Sequence, residues 1–507
     1  MNSTLVLQYL LTYSGLILLL VLSGIYLYFQ FSFTYWKRKG FSYIKPKFPL
    51  GNNNCIGLGA FSYGIETLDW YRQLKERGLK FGGAWNWANP VLVISDPEYV
   101  KDILVKDFSY FTDRDFFHNP IDDPKNENLF VVEKDEWRYM RQHLSHTFTS
   151  AKMKMMCPGV LKCTEPLLDY MNQCAACGKD IDAKDIMSAY TIDVIGSNIF
   201  GLELGTFKAE DSKFREIGRE IFRISVMKGV KTIMTRVSEG LARTMGISIL
   251  PGDITDAFSE IVKDTIDYRI NNNIKRQDFM QMVIDLYMET KNSERQFTLN
   301  HLIANVIVFF IAGFDTSATT LHFALYELAL HQNLQDKARE EIDRILKKYN
   351  GDLTYEAVQE MTYIRQILDE TLRLYPPLNV VARVAVKPYK LKNTDLWLEK
   401  GSRVVIPVIG FQKDPEYFPE PERFDPERFS AENKSIIPSY VYLPFGEGPR
   451  ICIGMRFGRM QSAIGLIQIL KNFKITLSPL TQTPIKPKRG VFIMLPDDRI
   501  YIKAEKI

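Results

Sequence analysis

The sequence predicts a mostly helical domain that a single N-terminal helix attaches to a membrane. Apolar residues recur at helical spacing over most of residues 160–350. Leu5–Phe29 is an apolar run, and about 20 such residues are enough to cross a bilayer. No repeat, low-complexity tract or linker rich in Pro, Gly and Ser follows residue 55. We therefore divide the 507 residues into an anchor, 1–36, a basic, proline-containing linker, 37–55, and one large domain, 56–507.

The composition excludes several classes of protein. Hydrophobic residues make up 46% and charged residues 24%, with a formal net charge of +4, so the charge balance gives no argument for a nucleic-acid partner. The six cysteines are scattered and do not form the dense pattern of a disulfide framework. Cys174 and Cys177 form a C-x-x-C pair, but no second pair lies at zinc-site spacing. We interpret that pair as a coincidence on a helix surface.

The N-terminal segment has the features of an uncleaved membrane helix. Residues 1–36 contain no charged side chain, and the basic cluster Lys37–Lys39 follows directly. By the positive-inside rule, this cluster places the domain on the cytosolic side. A cleaved signal peptide is the alternative, but the apolar run is long and no basic residue precedes it. Pro46 and Pro49 then predict a stiff, extended linker.

Two shorter patterns precede the helical region. Residues 91–95, V-L-V-I-S, predict a buried strand, and Asp96-Pro97 predicts the start of a helix. Residues 107–130 are irregular and rich in Phe, which is typical of a lid over a ligand and at least as typical of plain packing. In the next helix Trp137 and Arg141 share one face. Either the Trp137 ring packs on the aliphatic part of Arg141, or the two side chains together donate hydrogen bonds to an anion.

The segment from Phe214 to Met245 is basic and amphipathic. Its cations predict a solvated helix face, and contact with a membrane surface is the alternative given the anchor. The basic residues are Arg215, Arg219, Arg223, Lys228, Lys231, Arg236 and Arg243.

One long helix dominates the second half of the chain. Thr298 caps it, and it runs to about His331 with Asp315 and Glu327 as its only charges. A helix that is apolar all round belongs at the centre of a fold. Its part Leu302–Phe314 is too short to be a second membrane span.

The middle of this helix contains residue types that are unfavourable or unusual inside an apolar helix. Residues 312–316 read A-G-F-D-T, so small side chains, an acid and a β-branched hydroxyl stand together. Ala312 and Thr316 face the same way, and the Thr316 hydroxyl can bond the Ala312 carbonyl and bend the helix into a notch. Asp315 could supply protons there through water. A satisfied core Thr beside an Asp at a helix kink explains these residues equally well.

The stretch Leu443–Gly465 places Cys452 in a turn crowded with glycines, just before another apolar-striped helix. A sulfur ahead of a helix N-terminus meets the positive end of the helix dipole, which favours thiolate over thiol. Such a thiolate is either a nucleophile or a metal ligand. A buried structural cysteine is the third interpretation.

Three motifs together resemble those of the cytochrome P-450 family. Phe445-Gly446-x-Gly448-x-Arg450-x-Cys452-x-Gly454 is similar to the haem-binding signature, and residues 312–316 are similar to the oxygen-binding motif. Glu370-Thr371-Leu372-Arg373 resembles part of a Glu-Arg-Arg network. The resemblance implies a mainly α fold with a small β-rich lobe and haem b between a central and a proximal helix. It makes Cys452 the axial thiolate of the haem iron, with Phe445 among the cofactor-binding residues.

The resemblance also assigns roles to other residues. Thr316 and Asp315 would manage the protons needed for O–O scission. Bidentate guanidinium groups suit the haem propionates. The residues that resemble propionate ligands are Trp137, Arg141, Arg383 and Arg450, with Arg114 as a fifth. The residues expected to line the substrate pocket are Phe116, Phe117, Phe309, Ala312, Val380, Val381 and Val491.

Arg428 is expected to complete the charged network with Glu370 and Arg373. It lies at the family's usual distance before the cysteine loop, whereas Arg423 lies in an earlier copy of the same Pro-Glu-Arg-Phe motif. An exposed ion pair would contribute tenths of a kcal/mol, but a buried network that loses one partner is destabilised by about 3–5 kcal/mol. We expect this network to support the fold and haem retention.

The resemblance implies a haem-thiolate monooxygenase most similar to microsomal insect enzymes that handle xenobiotics. It would bind an apolar compound, accept two electrons and insert one oxygen atom from O₂. Electrons would come from NADPH through the NADPH–cytochrome reductase, with cytochrome b5 as a further partner, at the endoplasmic reticulum membrane. The cations expected to steer the reductase are Lys134, Arg138, Arg456 and Arg459.

Two other functions are compatible with a haem-thiolate chain. One is an isomerase or dehydratase that rearranges a peroxide without reductase or O₂, against which the intact Asp315-Thr316 pair argues. The other is a haem carrier or sensor, which would not need an acid–alcohol pair. NADPH-dependent turnover distinguishes the first from a monooxygenase, and O₂ consumption distinguishes the second.

Overall fold

The structure, a computed structural model, describes residues 3–53, 64–208, 213–222, 225–248, 250–276 and 278–507. The expected boundary between linker and domain, at residues 55–56, lies outside these ranges. Helices dominate, as predicted, and 3-10 and π turns join several of them. The helices are α1 Ser3–Ser32, α2 Tyr35–Arg38, α3 Glu66–Glu76, α4 Pro97–Lys101, α5 Lys134–Ser145, α6 Ser150–Lys162, α7 Thr164–Cys177, α8 Ala183–Ile195, α9 Lys213–Phe222, α10 Val226–Val237, α11 Glu239–Thr244, α12 Gly252–Asn271, α13 Phe279–Thr290, α14 Leu299–Leu330, α15 Gln332–Lys348, α16 Tyr355–Glu360, α17 Thr362–Leu374, α18 Val408–Gln412 and α19 Met455–Asn472. The strands are β1 Phe81–Asn86, β2 Asn89–Ile94, β3 Ile181–Asp182, β4 Val380–Val384, β5 Tyr389–Lys390, β6 Trp397–Leu398, β7 Arg403–Pro407, β8 Phe473–Leu477 and β9 Tyr501–Lys506.

The central element is α14, which is buried along most of its length. The Thr298 side chain caps it by accepting from the His301 amide at 3.1 Å, as the sequence predicts. Within its most apolar window, 72% is buried inside the protein. This helix is long and apolar enough to cross a membrane, but its burial makes it a core element.

Two glycines allow α8, α14 and α19 to pack closely. A Cβ built on Gly313 of α14 would lie 2.5 Å from Ile195 Cδ1, at the end of α8. A Cβ on Gly465 of α19 would lie 2.7 Å from the Tyr190 ring. Because both positions lack a side chain, α14 and α19 can each pack closely against α8.

A four-stranded sheet carries another wall of the site. Its order is β1-β2-β7-β4, with β2 and β7 parallel and the other pairs antiparallel. The predicted strand at residues 91–95 corresponds to β2, and Asp96 caps α4 after it. Arg383 of β4 pairs with Val404 of β7, which fixes its position beside the site. A three-stranded sheet, β3-β9-β8, and the pair β5-β6 complete the small β-rich part, as expected.

The N-terminal helix is the candidate membrane anchor, and the segment after it differs from the prediction. The span Thr12–Arg38 is apolar, and its most apolar window is not buried in the domain. Residues 36–53 pack against the sheet. Trp36 is buried and donates its Nε1–H to the Ala84 carbonyl at 3.0 Å, and a Cβ on Gly83 would lie 2.2 Å from the Trp36 ring. The described part of the expected linker is therefore part of the packed domain.

Candidate functional site

A cavity between α14, the loop before α19, β4 and the aromatic loop brings the two main sequence motifs together. The cysteine loop lies on one side and the notch of α14 contributes to the wall. The predicted site residues that line this cavity are Arg114, Trp137, Arg141, Thr316, Arg383, Phe445, Arg450 and Cys452. Asp315 does not line it.

The backbone around Cys452 depends on glycine at two positions. Gly446 and Gly448 have φ of 71° and 74°, in the left-handed region that side chains disfavour. A Cβ on Gly448 would also lie 1.9 Å from the Leu104 carbonyl oxygen. The Cys452 amide closes the turn by donating to the Phe445 carbonyl at 2.9 Å. This turn places the sulfur in the cavity wall.

Burial raises the pKa of the Cys452 thiol above its ordinary value. The Gly454 amide, which hydrogen-bonds the sulfur, and the cations Arg114 and Arg141 act in the opposite direction but are weaker. The expectation that the position before a helix favours thiolate stays a prediction. A metal ion bonded to sulfur displaces the thiol proton, so these surroundings suit a metal ligand better than a free nucleophile.

The four arginines predicted to bind the propionates line the same cavity, and their guanidinium groups are buried or partly buried. Burial and neighbouring guanidinium groups lower the pKa of Arg450 to about 8 and that of Arg383 to about 9. Burial lowers the pKa of Arg114 to about 10 and that of Arg141 below its ordinary value. Within the described ranges, Arg450 Nε and Nη1 and Arg383 Nε have no hydrogen-bond acceptor. Buried cations of this kind require an anion with several oxygens.

The two carboxylates of haem meet that requirement. Arg450 lies over the Trp137 ring, 4.4 Å from its centroid, so α5 presents the indole beside this guanidinium. Arg114 already donates to the carbonyls of Phe130, at 3.2 Å, and Arg450, at 3.0 Å, so it has fewer donors left. The cavity thus combines cationic donors, a sulfur and the small residues of α14. The residues present fit haem.

The hydrogen bond expected within residues 312–316 of α14, the segment that we call the notch, is present, and the helix continues through it. The Thr316 hydroxyl donates to the Ala312 carbonyl at 2.7 Å, as the sequence predicts. Both residues line the cavity. A hydroxyl bonded in this way can rotate towards a group in the cavity, because it carries one proton and two lone pairs.

Asp315 lies on another face of α14, since adjacent helical residues point about 100° apart. Its carboxylate is buried and lies 2.7 Å from the Lys184 ammonium, which also bonds the Thr319 hydroxyl at 2.8 Å. Asp315 lines a second, polar cavity together with Asp182 and Asp185. Its role in proton supply therefore stays a prediction, and any such role acts from a face of α14 other than the one that lines the thiolate cavity.

The expected substrate-pocket residues are partly confirmed. Phe116, Phe309, Ala312, Val380 and Val381 line the cavity. Phe117 and Val491 do not line it, so these two predictions are wrong. Phe117 packs with Ala242 and Ile247, because neighbouring side chains of an irregular loop diverge without a fixed period. Residues missed from the sequence include Phe130 and Phe492.

A buried ion cluster in the cavity wall was also missed. Asp115 accepts from Arg236 Nη1 at 2.7 Å and from Arg403 Nε at 2.9 Å. Both Asp115 and Arg236 line the cavity. The prediction of a solvated basic face is therefore wrong for Arg236, and also for Arg215, which bonds Asp185. No short-range pattern in the sequence could have paired residues so far apart.

The charged network beneath the cysteine loop is buried, as expected. Glu370 and Arg373 are both 0% exposed and lie 2.7 Å apart, and Arg428 Nε lies 3.4 Å from Glu370. Arg423 instead points outwards, with 62% of its side chain exposed, and pairs with Glu420. The choice of Arg428 as the third member is confirmed.

Gln461 was not identified from the sequence. It is fully buried on α19, and its Nε2 donates to the Gly313 carbonyl at 2.9 Å and bonds the Ser317 hydroxyl at 2.6 Å. A signal was available, because Gln461 lies four residues after Phe457 on the apolar face of a buried helix. A polar side chain at such a position needs a partner.

Comparison with known proteins agrees with this geometry. The family model for cytochrome P450 matches residues 58–504. Cytochrome P450 6A1 of Musca domestica is 38% identical over 496 residues, covering 96% of this chain and 97% of the relative. Cytochrome P450 6a2 of Drosophila melanogaster is 37% identical over 508 residues, covering 97% and 99%, and cytochrome P450 6k1 of Blattella germanica is 38% identical over 488 residues, covering 92% of each. The chain therefore belongs to the cytochrome P450 family of haem-thiolate monooxygenases.

Proposed function

We propose that this cytochrome P450 binds haem b through Cys452 and oxidises lipophilic small molecules, xenobiotics among them. Bound haem would supply the iron at which O₂ takes up two electrons and two protons, so that one oxygen atom passes to the substrate and the other leaves as water. The strongest support for the site comes from Arg383 and Arg450. Both are buried in the wall of the cavity that Cys452 lines, and several of their N–H groups have no hydrogen-bond acceptor among the described residues. A thiol and two such cations in one cavity suit a group with one metal and two carboxylates.

The cofactor-binding residues differ in how many of their N–H donors are already hydrogen-bonded within the protein. Arg383 and Arg450 are assigned as the main propionate ligands, because their Nε groups have no acceptor among the described residues. Trp137 and Arg141 would add donors from α5, and Arg114 would contribute less because two carbonyls already occupy it. Phe445 lies beside the sulfur in the cavity wall, with the Arg459 guanidinium 5.1 Å from its ring centroid.

Thr316 and Asp315 are assigned to proton handling from two sides of α14. The Thr316 hydroxyl lines the cavity and holds its proton on the Ala312 carbonyl, from which it can turn inwards. Asp315 lines the polar cavity on the other side, where water can reach its carboxylate. With the acid on the polar side of α14 and the alcohol on the apolar side, protons would reach the thiolate cavity without bulk water entering the substrate site.

The substrate is assigned as an apolar compound because aromatic and aliphatic side chains dominate the cavity wall. Phe116 packs edge-on against Phe130 and Phe492, with centroids 4.7 Å and 5.9 Å apart. Val380 and Val381 form the neighbouring wall on β4. Binding an apolar compound to such a surface is favourable because it removes apolar area from water. The surface offers few polar contacts that could distinguish one substrate from another.

The electron donor is assigned as the NADPH–cytochrome reductase, with cytochrome b5 as a further partner. Lys134, Arg138 and Arg456 are exposed and available to steer an acidic surface. Arg459 is 30% exposed and bonds Asp369 at 2.7 Å, so its contribution to steering is smaller.

The protein is assigned to the endoplasmic reticulum membrane as a single-pass, microsomal enzyme with a cytosolic catalytic domain. The apolar segment within residues 1–36 would lie among membrane lipids, and Lys37–Lys39 would stay on the cytosolic side. Residues 37–55 and the domain 56–507 would then lie at the membrane surface and in the cytosol. Association of the full chain with microsomes that resists carbonate extraction tests whether the N-terminal segment is an integral membrane anchor.

Reconstitution of the full-length protein with reductase in phospholipid vesicles tests the activity. We expect NADPH-dependent O₂ uptake and a hydroxylated or epoxidised product from compounds that shift the haem spectrum on binding. Arg456→Glu should raise the KM for reductase without changing substrate binding. Turnover of a peroxide without NADPH would favour the isomerase or dehydratase, and haem binding without O₂ uptake would favour the carrier or sensor.

A further inference from the structure

Side-chain donors bond four backbone carbonyls in the notch of α14. In a regular helix each carbonyl accepts only from the amide four residues later. A second donor competes with that amide and draws the carbonyl outwards, which bends the helix locally. The four bonds are Thr316 Oγ1 to Ala312 O at 2.7 Å, Gln461 Nε2 to Gly313 O at 2.9 Å, Lys184 Nζ to Asp315 O at 3.2 Å and Thr320 Oγ1 to Thr316 O at 3.0 Å.

The donor from Gln461 differs from the other three because it belongs to the helix that follows the cysteine loop. Its Nε2 also bonds the Ser317 hydroxyl at 2.6 Å, so it contacts the residues before and after the acid–alcohol pair. The Gln461 backbone carbonyl in turn accepts from the Tyr190 hydroxyl of α8 at 2.9 Å. Gln461 therefore joins α19 to α14 through its side chain and to α8 through its backbone carbonyl.

The chemistry of these contacts requires an N–H donor at this position. A backbone carbonyl only accepts hydrogen bonds, so the side-chain nitrogen and not the oxygen must face Gly313. Gln461 is 0% exposed and borders the cavity that Cys452 lines together with Gly313 and Ser317, so loss of its amide removes this donor from the wall between α19 and α14. An apolar side chain of equal length would fill the space and leave the Gly313 carbonyl with its helical amide alone.

We propose that Gln461 is a positioning residue that couples the cysteine-bearing loop and helix to the notch of α14 and so holds the Thr316 hydroxyl in place. The inference rests on the proposed function, since the position of this hydroxyl matters only if Thr316 handles protons. Gln461 acts through Gly313 and Ser317 and does not itself move a proton.

Three substitutions in the full-length holoprotein separate positioning from packing. Gln461→Met keeps the length of the side chain and removes the donor, whereas Gln461→Asn keeps the amide but is one methylene too short to reach. Ile464→Val is the matched packing control, because Ile464 is fully buried on the same helix and lies outside the cavity lining. All three are compared at equal haem content.

We expect Gln461→Met and Gln461→Asn to lower the product formed per NADPH consumed by about fivefold, as for loss of one neutral hydrogen bond. The far-shifted Soret band of the reduced, CO-bound protein should persist in both, and Ile464→Val should keep wild-type coupling. In a crystal structure of Gln461→Met, Thr316 Oγ1 should leave the Ala312 carbonyl.

Wild-type coupling in Gln461→Met, or a Thr316 bond unchanged at 2.7 Å, would overturn the inference while the proposed function stands. Equal loss of coupling in Ile464→Val would overturn it as well, because packing would then explain the effect. If Gln461→Met fails to retain haem, Ser317→Ala removes one of the two contacts and should lower coupling in the same direction; wild-type coupling there counts against the inference. Absence of the thiolate band in the wild-type protein would instead reject the proposed function.

Discussion

The Lys184 ammonium lies 2.7 Å from the Asp315 carboxylate, and both line a polar cavity distinct from the one that Cys452 lines. The acid of the acid–alcohol pair is thus held by a cation from α8, while the neighbouring Thr316 hydroxyl lies in the thiolate cavity. Substitutions at the two residues should therefore affect different kinetic quantities.

Asp315→Asn should lower kcat by about 100-fold and leave KM unchanged. The amide has the shape of the carboxylate and still accepts a bond from Lys184, but it cannot carry a proton. KM is expected to hold because Asp315 does not line the substrate cavity. Steady-state kinetics in the reconstituted system measure both; an unchanged kcat would remove Asp315 from the proton route.

Thr316→Ala should reduce coupling, whereas Thr316→Ser should retain most of it. Alanine removes the hydroxyl that bonds the Ala312 carbonyl, and serine keeps it. We expect the ratio of product to NADPH to fall at least about fivefold in the alanine variant. Parallel measurement of NADPH oxidation, peroxide release and product tests this, and equal coupling in both variants would argue against a role for the hydroxyl.

Arg428→Ala should destabilise the holoprotein by about 3 kcal/mol, and Arg423→Ala by less than about 0.5 kcal/mol. The two arginines occupy copies of one motif, but Arg428 lies 3.4 Å from the buried Glu370 whereas Arg423 is largely exposed. Thermal denaturation and haem loss at a fixed scan rate measure the difference. Equal effects of the two substitutions would show that burial of the network does not decide its contribution.

Stability should fall as pH rises from about 6.5 to 9 because of His118. Burial lowers the pKa of His118, but a hydrogen bond to Glu127, at 2.8 Å, and the Glu133 carboxylate, 3.6 Å from Nε2, outweigh it and raise the pKa to about 9. The folded state therefore holds a proton that the unfolded chain releases near pH 6.5, and its contribution is complete below that pH and lost by about pH 9. The contribution is about 2 kcal/mol, because the ring is partly screened by solvent.

His118→Gln provides the comparison for this pH dependence. The variant should melt at a lower temperature than the wild type at pH 6 and at about the same temperature at pH 9.5. Melting curves over this range check the prediction. A constant difference between the two proteins at all pH values would show that the His118 charge contributes nothing.

The elements that sequence predicts well are those in which one local pattern determines the outcome. The apolar periodicity of α14, the Thr298 cap and the glycines before Cys452 act over a few residues, and each appears as expected. The choice between Arg428 and Arg423 was also correct, because the distance along the chain to the cysteine loop carries the information.

Other features depend on where distant segments meet. Phe117 and Val491 were misplaced because an irregular backbone has no period that assigns a side chain to one face. The ion cluster of Asp115, Arg236 and Arg403 joins three separate segments, and no local pattern encodes it. Gln461 is intermediate between these two groups. The sequence indicates a polar residue on the buried face of a helix, but it does not indicate which residue that side chain bonds.

The spectrum of the reduced, CO-treated full-length protein tests the central claim most directly. We predict the far-shifted Soret band of a thiolate-ligated haem in the wild type and in Cys177→Ser, which removes an exposed cysteine on α7. Cys452→His should bind haem and lack that band. A wild-type protein without the band, or a Cys452→His variant that keeps it, would contradict the assignment of Cys452 as the axial ligand.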